Sequence, residues 1–422
     1  MTAHLLLAVI VALSILLMLV RPRGIAEVYW VGGGALLLAV LGLIPWRLAG
    51  RAVLEGSDVY FFLIGMMLLS ELAREHGVFE WLSSAAVAGA RGSSVRLFTL
   101  VYGIGTVVTI LMSNDATAVV LTPAILAAVR KAKAEPLPHL FACALIANAA
   151  SFVLPISNPA NLVVFQEGMP TLPRWIAAFG LPSLLSIGVT YLTLRMLFRR
   201  QLRAPLAPGE ETAPLAGEGR LVLVGLGLMV AVLLTASALG MHLGLPTMLA
   251  SFAITAVLSL RSRSNPLRLA REISWSTLAL VAGLFVLVDA MESVGALRFA
   301  VAALHRAQGM PLAGGAYAAG FVLGVADNLL NNLPVGLLAG GAVHAAQVHG
   351  LLAHAVLIGV DLGPNLSVTG SLATILWLIA LRREGLDVSF GRFLKVGAVA
   401  MPAAMLAALG GSLAMQWLLR GR

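Results

Sequence analysis

Apolar runs of helical length dominate the chain, separated by short stretches rich in Arg, Lys, Gly and Pro. Runs at 3–20, 25–44, 59–73, 175–197, 221–240, 247–260, 274–291 and 391–418 approach the roughly 20 residues that carry a helix through a bilayer. The opening run lacks a basic segment before it, and Arg21 and Arg23 follow it, so it reads as a retained first helix. Residues 80–90 form a short amphipathic piece suited to the membrane interface. Two segments, 97–129 and 312–343, are longer than one crossing and too short for two. The 33 residues of 97–129 reach about 50 Å as a helix, whereas two passes of the hydrocarbon need about 60 Å. The first also begins beside Arg96 and ends at Arg130, so it starts and finishes on one side. Each is therefore expected to be a re-entrant helical hairpin.

A duplication organises these elements. Gly65, Glu71, Gly77 and Asn114 recur as Gly283, Asp289, Gly295 and Asn332, every pair 218 residues apart. The hairpin tips carry Ser113-Asn114-Asp115 and Asn331-Asn332. Two further spans, 140–166 and 351–380, hold Pro-, Asn- and Gly-rich knots: Pro155 to Asn161, with Asn158, and Asp361 to Gly370, with Asn365 and Thr369. Proline removes a backbone donor and glycine loosens the chain, so each span should break in mid-membrane. Irregular backbone at that depth is tolerated only inside protein or beside a wet cavity. The fold expected is an all-α integral membrane protein built from two repeats, 1–198 and 220–422. Residues 199–219, rich in Pro, Gly, Ala and Glu, join them as a cytoplasmic linker. Each repeat makes five crossings, an odd number, so the two should be inverted, each with one hairpin and one broken helix. Tips and breaks can then converge on one polar site, which points to a transporter.

Composition agrees with the pattern. Hydrophobic residues make up 59 % of the 422 and charged residues 11 %, with a mean hydropathy of +0.95. A soluble domain carries about twice that charge. The net charge of +9 is explained by the positive-inside rule. Arg21, Arg23, Arg130, Lys131, Lys133, Arg199, Arg200, Arg203, Arg261, Arg263, Arg268, Arg271, Arg382 and Arg383 collect on one side. Only Arg47, Arg51, Arg174, Arg298 and Arg306 fall on the other. The rule places the linker in the cytoplasm and both termini outside. No folded basic domain is present to bind nucleic acid. The single cysteine, Cys143, excludes an internal disulfide and a Cys-rich metal site. No P-loop pattern occurs, and no cofactor or metal is expected. His344, His349 and His354 read as outer-surface residues, and Glu71 and Asp289 as capping or pairing residues.

The remaining acids are single-copy: Asp115 matches Leu333, and Asp327 matches Thr109. A carboxylate at mid-bilayer costs about 2.5–3.5 kcal/mol even on the lenient insertion scale. Asp115, Asp361 and Asp327 are therefore the expected proton or cation carriers.

Several strings resemble a known group. Asn114-Asp115-Ala116-Thr117-Ala118 with Leu121-Thr122-Pro123, then Ala147 to Ser151 and Ser157 to Leu162, are similar to the arsenical pump membrane proteins. So is Gly359 through Thr374. That group belongs to the ion transporter superfamily, alongside sodium/proton antiporters and dicarboxylate carriers. The resemblance implies efflux of arsenite and antimonite driven by protons, an elevator-like motion of the hairpin domain, and in some members a cytoplasmic ATPase subunit. Arsenite near neutral pH is largely an uncharged trihydroxide, which amides, hydroxyls and free backbone groups can hydrogen-bond. On that reading Ser113, Asn114, Asn158, Asn161, Asn331, Asn332, Asn365 and Thr369 bind substrate, and Asp115, Asp361 and Asp327 carry protons. A sodium/proton antiporter using Asp115 and Asp361 is the alternative. A dicarboxylate carrier ranks below it, because an acid at the tip would repel a dianion.

Overall fold

The computed structural model describes residues 2–420 except 167, 205, 207–213, 263–267, 270 and 272. Those residues form helices joined by short turns. The first half contains α1 (Thr2–Val20), α2 (Glu27–Val40), α3 (Trp46–Glu55), α4 (Ser57–Glu75) and α5 (Val78–Ala90). It continues with α6 (Ser94–Leu111), α7 (Thr122–Lys131), α8 (Pro136–Ala149), α9 (Pro159–Val164) and α10 (Leu172–Leu197). The second half contains α11 (Gly217–Ala238), α12 (Gly244–Ser262), α13 (Trp275–Ser293), α14 (Ala296–Gln308) and α15 (Leu312–Leu330). It ends with α16 (Asn332–Ala345), α17 (Leu351–Leu362), α18 (Leu372–Arg383) and α19 (Phe390–Arg420).

Seven of the described helices are long and apolar enough to cross a membrane, or eight if the bent pair α3 and α4 counts as one span. Leu260, Phe299 and Trp417 are each more than three-quarters exposed, at 81, 81 and 77 %. A surface of such residues is stable only against lipid or a partner. Two of the seven, α6 and α15, are the first arms of the segments read as hairpins. Length alone therefore allows each of them a full crossing.

Several details depart from the sequence reading. Helix α3 was not expected; Trp46 to Glu55 mixes apolar and charged positions, and the helix bends by 48° into α4. Helix α11 begins at Gly217, inside the expected linker. Within that linker, Leu202 and Leu206 are buried and the Leu206 amide donates to the Gly92 carbonyl at 3.3 Å. Linker residues 205 and 207–213, and Arg263 of the basic set, lie outside the described residues.

The two halves interlock through matching contacts. Helix α4 packs on α12, and α13, whose first residue stands 218 after that of α4, packs on α2. Glycine makes both contacts close. A Cβ at Gly65 would stand 2.8 Å from the Thr247 carbonyl oxygen, and one at Gly283 2.9 Å from Val31. Likewise α9 packs on α16, α18 packs on α7, and α10 packs on α19. Each broken helix thus leans on the second hairpin arm of the other half.

Candidate functional site

Both hairpin arms end in irregular backbone. After α6 the chain turns at Ser113, whose hydroxyl accepts from the Ala116 amide at 3.3 Å. A π-helical turn, Ala116–Leu121, then leads into α7; such turns are rare and recur at functional sites. The Thr109 and Thr117 hydroxyls, 2.8 Å apart, tie the two arms together. In the second hairpin Asn331 has φ 74° and ψ 148°, a region costing a non-glycine residue of order 1–3 kcal/mol. The neighbouring break holds this turn: the Asn332 amide donates to the Gly370 carbonyl at 2.9 Å, and Asn331 Nδ2 to the Thr369 carbonyl at 3.4 Å.

The breaks show why these spans can unwind in an apolar setting. Between α8 and α9 the freed carbonyls find side-chain donors. Ser186 donates to Ala149, and Trp175 Nε1 to Phe152, at 3.0 and 3.1 Å. Asn161 Nδ2 reaches the carbonyls of Ser151, Leu154 and Pro155 at 2.8, 3.2 and 3.3 Å. In the second break Asn328 is the hub. Its Nδ2 donates to Gly324 and Gly363 at 2.7 and 3.0 Å, and its Oδ1 accepts from Ser367 at 2.7 Å. Asn365 Nδ2 donates to the Leu145 carbonyl, and its Oδ1 accepts from Asn148 Nδ2, both at 3.0 Å. One tie recurs in both halves. Ser157 donates to the Ile110 carbonyl and Thr369 to that of Asn328, the two carbonyls 218 residues apart.

Tips and breaks line a cavity of ≈ 20 Å³, room for about one water. Most of its lining comes in matched pairs: Leu63 with Val281, Asn114 with Asn332, Asp115 with Leu333, all at the offset of 218, while Thr277 and Ala373 stand without a counterpart. Asn158 pairs with Ser371 and Pro159 with Leu372 at an offset of 213. Asn158 and Ser371 also do the same local job: each starts a helix, accepting from the Ala160 amide at 3.0 Å and from the Thr374 amide at 3.1 Å. Asp115 is the one ionisable side chain in the lining, which contains no Lys, Arg or His. Asn114 Oδ1 is buried without a partner, so an acceptor is left for whatever enters.

Of the residues expected to bind substrate, Asn114, Asn158 and Asn332 line this cavity, together with Asp115. Ser113 caps the first tip. Asn161, Asn331, Asn365 and Thr369 do not line it; their side chains serve backbone carbonyls and each other's turns. Asp327 and Asp361 lie outside the lining too, fully buried, with Asp361 Oδ1 accepting from Asn158 Nδ2 at 2.8 Å. Sequence reading missed Ser371, Asn148 and Asn328. Ser371 was legible had the breaks been aligned at 213 rather than 218, because Asn158-Pro159-Ala160 and Ser371-Leu372-Ala373 then coincide.

A second, much larger cavity of ≈ 1180 Å³ lies at the far ends of α9 and α16. Val163, Val164, Leu337 and Gly340 line it, with Arg174, Asp289, Glu292 and the three histidines His344, His349 and His354. His354 lies edge-on to Phe179, ring centres 5.1 Å apart, rather than in a surface loop. Among the described residues no group of three or more His, Cys, Asp or Glu is placed to hold a metal ion. Glu71 pairs with Arg74 Nε at 2.8 Å.

The chain is 26 % identical over 417 residues to an arsenical pump membrane protein of Yersinia enterocolitica, covering 92 % of this chain and 94 % of that one. A protein of the same name from Escherichia coli is 25 % identical over 418 residues, with 94 and 95 % covered. Among solved structures the YdaH transporter of Alcanivorax borkumensis shares the fold, with a TM-score of 0.57 at 17 % identity over 88 % of each chain. The family model described as citrate transporter, CitMHS, matches residues 2–360, and the chain belongs to this family of membrane transporters.

Proposed function

We propose that the chain is a secondary transporter exporting arsenite or antimonite across the cytoplasmic membrane in exchange for protons. The cavity lining carries the reading: neutral amides from both halves, the hydroxyls of Thr277 and Ser371, one carboxylate and no fixed positive charge. Amides and hydroxyls both donate and accept, as a neutral trihydroxide requires. A citrate or dicarboxylate anion would meet Asp115 with no Lys or Arg to offset the repulsion. The relatives named arsenical pump membrane proteins support the same substrate.

A space of ≈ 20 Å³ is too small for an arsenic atom with three hydroxyls, so the tips must separate for substrate to enter. The topology proposed is two inverted halves, 1–198 and 220–422, whose re-entrant hairpins enter from opposite faces, with the linker in the cytoplasm and both termini outside. The large cavity, rimmed by Arg174, His344 and Gln347, then opens outward. In an elevator-type cycle the hairpins and broken helices carry the site, while Asp115, Asp361 and Asp327 carry the coupling protons.

A sodium/proton antiporter is the second reading, favoured by Asp115 standing in the cavity. Everted vesicles with an acid interior separate the two. Arsenite accumulation that a protonophore abolishes and sodium leaves unchanged supports arsenite export. Sodium accumulation without arsenite movement refutes it and makes Asp115 a cation ligand.

A further inference from the structure

Asn148 stands on the last turn of α8, just before the first break, and is fully buried. Its side chain serves the other half of the molecule. Nδ2 donates to Asn365 Oδ1 at 3.0 Å, and Thr374 Oγ1 and Ser371 Oγ stand 3.5 Å from its Nδ2 and Oδ1. Asn365 answers with a bond from its own Nδ2 to the Leu145 carbonyl, one turn earlier on α8, at 3.0 Å. Helix α8 and the second break are thus clasped by a reciprocal pair of amides. A buried amide left unmet costs more than its bond gains, so the clasp persists only while both partners stay in place.

The clasp reaches the small cavity through a turn with no slack. A Cβ at Gly370 would lie 2.5 Å from Pro364 Cα and 2.8 Å from Asn328 Oδ1, so residue 370 rests on the residue before Asn365. The Gly370 carbonyl accepts from the Asn332 amide at 2.9 Å, and Ser371 is the next residue along the chain. Asn332 and Ser371 both line the cavity. The opposite wall is held in the equivalent way. Asn158, also in the lining, donates to Asp361 Oδ1 on α17 of the other half at 2.8 Å. At the offset of 213, Asn148 is the counterpart of Asp361, and Asn158 that of Ser371. In each half, the residue that opens the break therefore meets the cap that closes the break of the other.

We infer that Asn148 is a positioning residue for the substrate cavity: through Asn365 it fixes the wall formed by Ser371 and Asn332, which belongs to the opposite half. Asn148 is not in the lining itself and acts through the second break. A wall set about 1 Å off misaligns its hydroxyl and amide with a bound ligand, so loss of the clasp weakens binding before it slows turnover. That this wall meets arsenite rests on the transport reading above; the clasp and its reach across the halves do not.

Arsenite uptake by everted vesicles, normalised to folded protein, tests the positioning role. Asn148→Ala and Asn365→Ala should each raise KM about tenfold, the scale of one buried hydrogen bond, with the maximal rate kept. The double variant should be no worse than either single one. Ser186→Ala is the control: it removes the donor to the neighbouring Ala149 carbonyl within the first half, so it should unfold earlier and keep the wild-type KM. An unchanged KM with a reduced rate in Asn148→Ala overturns the inference, as do single effects that multiply in the double variant. Should Asn148→Ala fail to insert, Asn148→Ser keeps a polar side chain too short to reach Asn365 and must show the same rise in KM. Hydrogen–deuterium exchange on the purified full-length protein in lipid needs no substrate. In Asn148→Ala the amides of Leu366, Gly370 and Thr374 should exchange faster, while those of Ser151 and Val153, next to the change, keep their wild-type rates. Faster exchange at Ser151 and Val153 alone would make Asn148 a support of its own helix and sink the inference. A wild type that moves no arsenite, with the exchange pattern intact, counts against the arsenite reading and leaves the clasp standing.

Discussion

Asn161 and Asn114 show two uses of one residue type. Both are buried asparagines in apolar surroundings, and the sequence reading treated them alike. Asn161 spends its amide on three backbone carbonyls of the broken span. Asn114 lines the cavity and donates to no backbone carbonyl; the Oδ1 of each is buried without a partner, so the difference lies in their donors. Asn161→Ala should therefore strip donors from carbonyls that water reaches poorly, at about 1–3 kcal/mol for each one left unmet. Its signature is a lower yield and an earlier thermal unfolding transition in detergent. Asn114→Ala breaks no bond to the protein, so it should unfold near the wild-type temperature while losing transport. Equal destabilisation by the two changes would show that Asn114 is as structural as Asn161.

At the scale of the element, glycine decides how closely helices approach. Helix α16 leans on the short α9 through Gly336 and Gly340, and this contact lies between the small cavity and the large one. A Cβ at Gly340 would stand 2.8 Å from the Val164 carbonyl oxygen, against backbone that cannot turn aside. At Gly336 the nearest atoms are side-chain methyl carbons at 3.4 Å, an ordinary contact. Gly340→Ala should accordingly cost about 1–3 kcal/mol through overpacking. Gly336→Ala should be neutral or stabilising, because alanine gains about 1 kcal/mol over glycine inside a helix. Thermal unfolding of the pair is the check. A harmless Gly340→Ala would mean that α9 and α16 are held apart more loosely than the packing shows.

For the whole molecule the central question is orientation. Helix starts at 57 and 275, 78 and 296, and 94 and 312 all stand 218 apart. The cavity lining comes from both halves, mostly in pairs. If the halves are inverted in the membrane, Arg91 and Gly309, both exposed and 218 apart just before the hairpins, must face opposite sides. Cys143 is buried, so single Arg91→Cys and Gly309→Cys variants report on a quiet background. A membrane-impermeant thiol reagent added to intact cells should label Gly309→Cys and spare Arg91→Cys. Labelling of both from one side would end the inverted arrangement.

By itself the sequence determined that this chain is a helical membrane transporter, and it set the expectation of corresponding halves and interrupted spans. These follow from local causes: apolar length, the proline and glycine content of a span, and the cost of polar groups in hydrocarbon. Direction was a different matter. A buried Asn can serve a neighbouring carbonyl or a ligand, and the choice depends on which backbone groups lie opposite. Only the tertiary structure decided that Asn161 and Asn365 support the breaks, that Asn158 and Ser371 line one cavity, and that α15 and α17 touch backbone to backbone at Gly320 and Gly359. That approach needs glycines on both helices, which nothing local to either announces.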